Sequence, residues 1–270
     1  MTTTNETLIV IPARYNSKRL PGKPLLMLAG KSMLQRVCET ARLAAEQSKN
    51  VNILVATDDE RILQHAESIG VSAVMTPSNC ETGTDRIIAA IAQLKTKPQA
   101  IINLQGDAPL TPVIILKNML AELNKHSSKT VVTPIIQLSW QELAFLRKTK
   151  QSSPFSGTTV IVNSAGQALW FSKNIIPAMR EEEKLSISKE ASPVHQHIGI
   201  YGYTMDMLET FSKLPVGFYE QLEGLEQLRY LENGYSVQTV KVDLPNLNTW
   251  RGVDTIEDAQ LVEKLLGELN

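Results

Sequence analysis

The stretch TLIVIPARYNSKRLPGKPL, residues 7–25, passes from an apolar run straight into a loop crowded with positive charge. Within TLIVI (7–11) apolar side chains fall on both faces, as a strand buried on both sides of a parallel sheet requires. The loop that follows carries Arg14, Lys18, Arg19 and Lys23 around Pro21, Gly22 and Pro24. So many like charges on a short turn call for an anion. Gly22 admits a close backbone approach, and the prolines restrict the loop so that little entropy is lost on binding. Arginine grips phosphate oxygens bidentately, and lysine meets them as a point charge.

The chain beyond the loop keeps an alternating rhythm. SMLQRVCETARLAAEQ (32–47) places Met33, Leu34, Val37, Cys38 and Ala41 at helical spacing. VNILVAT (51–57) reads as a strand, DERILQHAESIG (59–70) as a helix closed by Gly70, and SAVMT (72–76) as a third strand. TDRIIAAIAQL (84–94) is a helix with Thr84 or Asp85 near its start, and AIINLQ (100–105) a fourth strand. TPVIILKNMLAEL (111–123) is a further helix with Pro112 in its first turn. Strands alternating with helices predict a parallel α/β sheet with helices on both faces. Ligands of such sheets sit beyond the carboxyl ends of the strands. The basic loop and the QGD at 105–107 both follow strands directly, so both belong to that edge.

From about residue 130 the pattern changes. TVVTPIIQ, TTVIVN, ALWFS, HIGIYGYT and SVQTVKVD read as strands with fewer helices between them, EEEKLSISKE (181–190) as a solvated loop, and LEGLEQLRYLENG (222–234) as one amphipathic helix ending at Gly234. The second half is expected to add antiparallel strands and a substrate-holding lobe within one continuous unit, a single domain over 1–270.

The totals narrow the function. The 270 residues include 27 Lys plus Arg against 28 Asp plus Glu, a net charge of -1, which argues against nucleic acid or an anionic membrane as partner. No apolar stretch approaches the roughly 20 residues that span a bilayer, and MTTTNET lacks the basic start of a signal peptide. Two cysteines, Cys38 and Cys80, make neither a disulfide framework nor a zinc site, and the expectation is a soluble cytoplasmic protein.

Two phosphate motifs fail. AGKS (29–32) has the tail of a P-loop, but the required glycine is Leu25, and no G-x-G-x-x-G is present. Asp107 follows Gly106 at the sheet edge, where a carboxylate opposite cations makes sense with a metal between it and phosphates. A second carboxylate would hold Mg²⁺ better, and GVDT (252–255) supplies Asp254 in a turn before the last helix.

Read together, IPARYNSKRLPGKPL, VATDDERI, TGTDRI, INLQGDAPL, HIGIYGYT, LEQLRYLENG and GVDTIED stand in an order that resembles the CMP-Kdo synthetases (3-deoxy-manno-octulosonate cytidylyltransferases) from Leu8 to about Leu265. The resemblance implies a Rossmann-like nucleotide-binding half, about 7–125, and a sugar-acid-binding and dimerisation half, about 130–265. It implies transfer of CMP from CTP to a 3-deoxy-2-keto sugar acid such as Kdo, for lipopolysaccharide biosynthesis, with Mg²⁺ required, pyrophosphate released and a homodimer formed. By position, Arg14, Ser17, Arg19 and Lys23 resemble the triphosphate clamp, with the Pro12 and Ala13 backbone near cytosine. Gly83, Thr84 and Arg86 of TGTDR would help hold the nucleotide, and the Thr84–Asp85 pair could serve as a helix cap as well. Gln105 would touch the sugar, and Asp107 and Asp254 would hold the metal. His197 and Tyr201, four apart and so on one face of a strand, become sugar-acid contacts with Lys173, Glu226 and Gln227. His195, outside the motif, is expected at the surface.

The chain departs from the family pattern on the sugar and metal side. Ala108 stands where the family has Glu, Thr158 or Thr159 at the usual lysine, and Lys173 at the arginine of FSR. Arginine to lysine is not conservative at a carboxylate-holding site. These departures leave two rival readings beside Kdo: a modified acid such as an 8-amino-Kdo or a nonulosonate, and a nucleotide-binding paralogue without turnover.

Overall fold

The continuous apolar run of the first strand, buried on both faces, places the whole first half. A computed structural model describes residues 5–17, 19–46, 48, 50–126, 128–188, 190–244 and 252–268. β1 (Thr7–Ala13) is followed by a 3₁₀ turn (Lys23–Leu25), the hairpin β2 (Met27–Leu28) and β3 (Lys31–Ser32), and α1 (Met33–Ala45). Then come β4 (Val51–Thr57), α2 (Glu60–Ser68), β5 (Ser72–Met75), α3 (Gly83–Ile91), β6 (Ala100–Asn103) and α4 (Val113–Leu123). β5, β4, β1 and β6 pair in that order, all parallel. Ile9 and Ile11 of β1 join α1, α2 and α4 in one core, while Leu8 and Val10 join α3 in a second core on the opposite face. Each such fully buried aliphatic side chain contributes roughly 1.5–3 kcal/mol. Both faces of the sheet are therefore covered, as the apolar run requires.

The second half continues the same sheet with the opposite sense. It comprises β7 (Val131–Ser139), α5 (Trp140–Ser152), β8 (Thr158–Val162), β9 (Ala168–Ser172), α6 (Glu182–Ser188), β10 (Ala191–His197) and β11 (Tyr201–Thr204). α7 (Met205–Phe211), α8 (Phe218–Glu223), α9 (Leu228–Glu232), β12 (Gln238–Lys241) and α10 (Ile256–Glu268) complete the described chain. β11 joins the two halves, antiparallel to β6 on one side and to β7 on the other. β10, β8 and β9 extend the antiparallel part, and β12 runs parallel to β7.

Four readings of the sequence are corrected here. Residues 181–190 are not a loop: α6 forms there with no buried residue, tied down by Arg147, whose guanidinium donates to both Glu182 oxygens at 2.6 and 2.8 Å. A helix without an apolar face leaves no periodic signal. The single helix at 222–234 is broken into α8 and α9, because Gly224 takes the left-handed conformation (φ 62°) that ends α8. HIGIYGYT is two strands, since β10 stops at His197 and β11 starts at Tyr201 with the pairing to β7 shifted between them. Pro112 occupies the N-cap of α4, not its first turn.

Candidate functional site

The carboxyl edge of the parallel strands opens into a cavity of about 770 Å³. Its wall includes Pro12, Ala13, Arg14, Ser17, Arg19, Lys23, Gly83, Thr84, Arg86, Gln105, Asp107, Lys173, His197, Tyr201, Glu226, Gln227 and Asp254. Every site residue singled out from the sequence thus lines one space. Lys18, the remaining cation of the basic loop, lies outside the described residues.

Charge concentrates at one end. The Lys23 ammonium donates to Asp107 Oδ2 at 2.7 Å, to the Val253 carbonyl at 2.9 Å and to Asp254 Oδ1 at 3.2 Å. Arg19 pairs with Asp254 Oδ2 at 2.9 Å. The Val253 amide donates to the Asp107 carbonyl at 2.8 Å, which places two segments far apart in sequence side by side. Val253 is anchored with Leu28, Met33, Ala259 and Val262, so one small core fixes α10, the β2–β3 hairpin and the start of α1 together. Gly106 precedes Asp107 because a Cβ there would stand 2.7 Å from the Pro12 carbonyl. The turn after β6 can pass over β1 only with glycine at that point.

The opposite end is polar and largely uncharged. His197 shares a hydrogen bond with Thr133 Oγ1 at 2.8 Å, and burial with Lys173 nearby lowers its pKa to about 3. It is a neutral imidazole at physiological pH. Its ring centroid lies 5.4 Å from that of Tyr201, so the two still meet although they sit on different strands. Tyr201 Oη donates to Gln227 Oε1 at 2.8 Å. The buried Gln227 Nε2 has no partner among the described residues, and an unpaired buried donor costs about 1–3 kcal/mol unless a ligand meets it. Burial pushes the Glu226 carboxyl up, while the Thr84 hydroxyl, donating at 2.7 Å, opposes the shift. Lys173 is held below the ordinary lysine range by burial and donates to Thr158 Oγ1 at 3.1 Å. Thr158 therefore faces the cavity, whereas Thr159 turns away to donate to the Asn174 carbonyl at 2.6 Å.

Between the two ends the first turn of α3 opens into the cavity, an arrangement suited to an anion. The N-cap is Thr82, not Thr84 or Asp85: its hydroxyl accepts from the Asp85 amide at 3.1 Å, and the Thr82 amide donates to Asp85 Oδ2 at 3.0 Å. Arg86 lines the cavity, but its guanidinium donates to Thr76 Oγ1 at 2.7 Å and Asp58 Oδ2 at 3.0 Å. Those bonds make it a strut of the wall. Sequence reading passed over Thr82, Asn103 and Gln196, which also line the cavity. Asn103 carried a usable signal, a polar residue ending an otherwise apolar buried strand, and it accepts from Gln105 Nε2 at 2.8 Å. His195, expected at the surface, is half-buried on β10, and burial lowers its pKa.

The oxygen-only donor set of Asp107, Asp254 and the Val253 carbonyl already surrounds one cation, the Lys23 ammonium. Hard divalent ions such as Mg²⁺ favour that chemistry, and the residues fit such an ion. Among the described residues no group of three or more His, Cys, Asp or Glu side chains is poised to hold a metal, so phosphate or water oxygens would complete the coordination.

Comparison with known proteins matches a cytidylyltransferase family model to residues 8–241. The chain belongs to the cytidylyltransferase family. It is 42% identical over 265 residues to the 3-deoxy-manno-octulosonate cytidylyltransferase of Maricaulis maris, covering 97% of this chain and 98% of that one. It is 38% identical over 265 residues to the 8-amino-3,8-dideoxy-manno-octulosonate cytidylyltransferase of Shewanella pealeana, with 97% and 98% covered. Among solved structures it is similar to CMP:2-keto-3-deoxy-manno-octonic acid synthetase complexed with CTP, at 34% identity and a TM-score of 0.83, covering 98% of this chain and all 100% of that one. The fold class expected from the sequence agrees with that structure. Among the described residues no helix is long and apolar enough to cross a membrane.

Proposed function

We propose that this cytidylyltransferase moves CMP from CTP to the anomeric hydroxyl of a 3-deoxy-2-keto sugar acid, with Kdo as the leading substrate, for lipopolysaccharide biosynthesis in the cytoplasm. The observation that carries the reading is the junction of Arg19, Lys23, Asp107 and Asp254, drawn from three distant segments onto one cavity end. In the reaction the sugar hydroxyl oxygen bonds to the α-phosphorus and loses its proton. The bond from that phosphorus to the α–β bridging oxygen breaks, and pyrophosphate leaves. Arg14, Ser17, Arg19 and Lys23 bind the triphosphate, and Arg19 and Lys23 offset the charge growing on pyrophosphate. Gly83 and Thr84, at the opening turn of α3, add donors for the nucleotide, with the Pro12–Ala13 backbone beside the base. Held by Asp107, Asp254 and the Val253 carbonyl, Mg²⁺ would supply Lewis-acid polarisation of the phosphate and a lower pKa for the attacking hydroxyl. For Lys23 to reach phosphate it leaves the two carboxylates, exchanging one set of oxygens for another.

Lys173 offers a cation to the sugar-acid carboxylate, while Gln105, Tyr201, Glu226 and the unpaired Gln227 donor offer partners to hydroxyls. An 8-amino acid is the second reading, favoured by the Shewanella relative and by Ala108, Thr158 and Lys173 all departing on the sugar and metal side. A homodimer through the second half completes the proposal. The test is pyrophosphate release with CTP and Mg²⁺ across Kdo, 8-amino-Kdo and a nonulosonate. Release is expected with an octulosonate and is expected to be lost in Asp107→Asn with CTP binding kept. No release with any acid, or normal turnover by Asp107→Asn, would sink the reading.

A further inference from the structure

Outside the cavity, one lysine is enclosed by backbone. Lys150, near the end of α5, donates to the carbonyls of Lys173 at 2.5 Å, Ser156 at 2.5 Å, Gly157 at 3.1 Å and Pro154 at 3.2 Å. No carboxylate is within ion-pair reach of its ammonium among the described residues. An ammonium has three donors, so this basket satisfies it fully and leaves no donor for solvent. The four carbonyls come from two places: the loop that leads into β8 and the residue that follows β9. Gly157, Thr158 and Lys173 from those same places line the cavity.

The Lys173 peptide is held from its other side as well. Its amide donates to Glu223 Oε2 at 2.7 Å, and Ser172 Oγ donates to Glu223 Oε1 at 2.8 Å. Its carbonyl is Lys150's. The backbone that aims the Lys173 ammonium into the cavity is thus fixed by one charged side chain on each side. We propose that Lys150 is a positioning residue that sets the sugar-acid end of the site, holding Lys173 and Thr158 in register without touching the substrate. The inference rests on the functional reading for its kinetic form only. Burial holds the Lys150 ammonium below the ordinary lysine range, in keeping with its enclosure.

The experiment uses Lys150→Met, which keeps bulk and removes the donors, and Lys150→Ala with added n-propylammonium, with Lys148→Ala on the exposed side of α5 as control. Leaving the half-buried carbonyls of Ser156, Gly157 and Lys173 unmatched costs enough that Lys150→Met should raise the sugar-acid KM about tenfold while the CTP KM stays put. n-Propylammonium should restore Lys150→Ala, and tetramethylammonium, charged but without N–H donors, should not. Parallel rises in both KM values, an unfolded Lys150→Met, or no rescue of a folded Lys150→Ala would each overturn the assignment. A readout independent of turnover is NMR of protein labelled with ¹³Cε-lysine, which leaves every ammonium intact. The Lys173 resonance should move in Lys150→Met and stay in Lys148→Ala, and an unmoved Lys173 signal contradicts the inference even if the protein proves to use another substrate.

Discussion

His197 packs edge-on against Phe171, with ring centroids 5.1 Å apart, and its ring nitrogen is spent on Thr133. The folded protein keeps this imidazole neutral down to about pH 3, whereas the unfolded chain protonates it near the ordinary value of 6.5. Between those values the unfolded state binds more protons, so stability falls as pH drops through that window and is regained as pH rises. His197→Gln should flatten this part of the stability profile, as read by urea denaturation at a series of pH values; an unchanged slope would contradict the neutral assignment. Residue identity made this position legible, but not its surroundings. The sequence left Thr158 and Thr159 undecided because strand direction, not composition, determines which side chain enters the cavity. Arg86 was legible as part of a motif, while its bonds to Asp58 and Thr76 depend on contacts that only the fold creates.

The turn from β6 to Asp107 shows how an element sets a site. Gly106→Ala would press a methyl against the Pro12 carbonyl, and relief of such overpacking costs roughly 1–3 kcal/mol. The shift moves Asp107 away from Lys23, so turnover should fall further than thermal stability, measured by melting and pyrophosphate release on one preparation. Equal losses would argue against the turn as the device that places Asp107. Strands of the first half were legible because burial on both faces leaves continuous apolar runs bounded by turn residues. Helices of the second half were less so. α6 buries nothing, and the break between α8 and α9 rests on a single glycine whose left-handed backbone leaves no mark in hydrophobic period. That break matters, since Glu226 and Gln227 reach the cavity from the turn it creates.

At the scale of the molecule, one sheet carries both halves, and β11 brings Tyr201 from the antiparallel part beside the parallel strands that hold the basic loop. Phe218 and Leu222 project from one face of α8 and are exposed, with Tyr219 and Val216 beside them. This is the apolar surface a dimer would cover. Sedimentation should give twice the chain mass, and Leu222→Asp should return the monomer; a monomeric unaltered protein would remove the dimer from the account. The central claim concerns the two aspartates and the cations they now hold. It is tested most directly by Mn²⁺ affinity, read by electron paramagnetic resonance, for the unaltered protein, Asp107→Asn and Asp254→Asn. The account predicts weak binding without CTP, where Lys23 fills the seat, tight binding with CTP, and a drop to the affinity of CTP alone in either Asn variant. Mn²⁺ held as tightly by both variants as by the unaltered protein would contradict it.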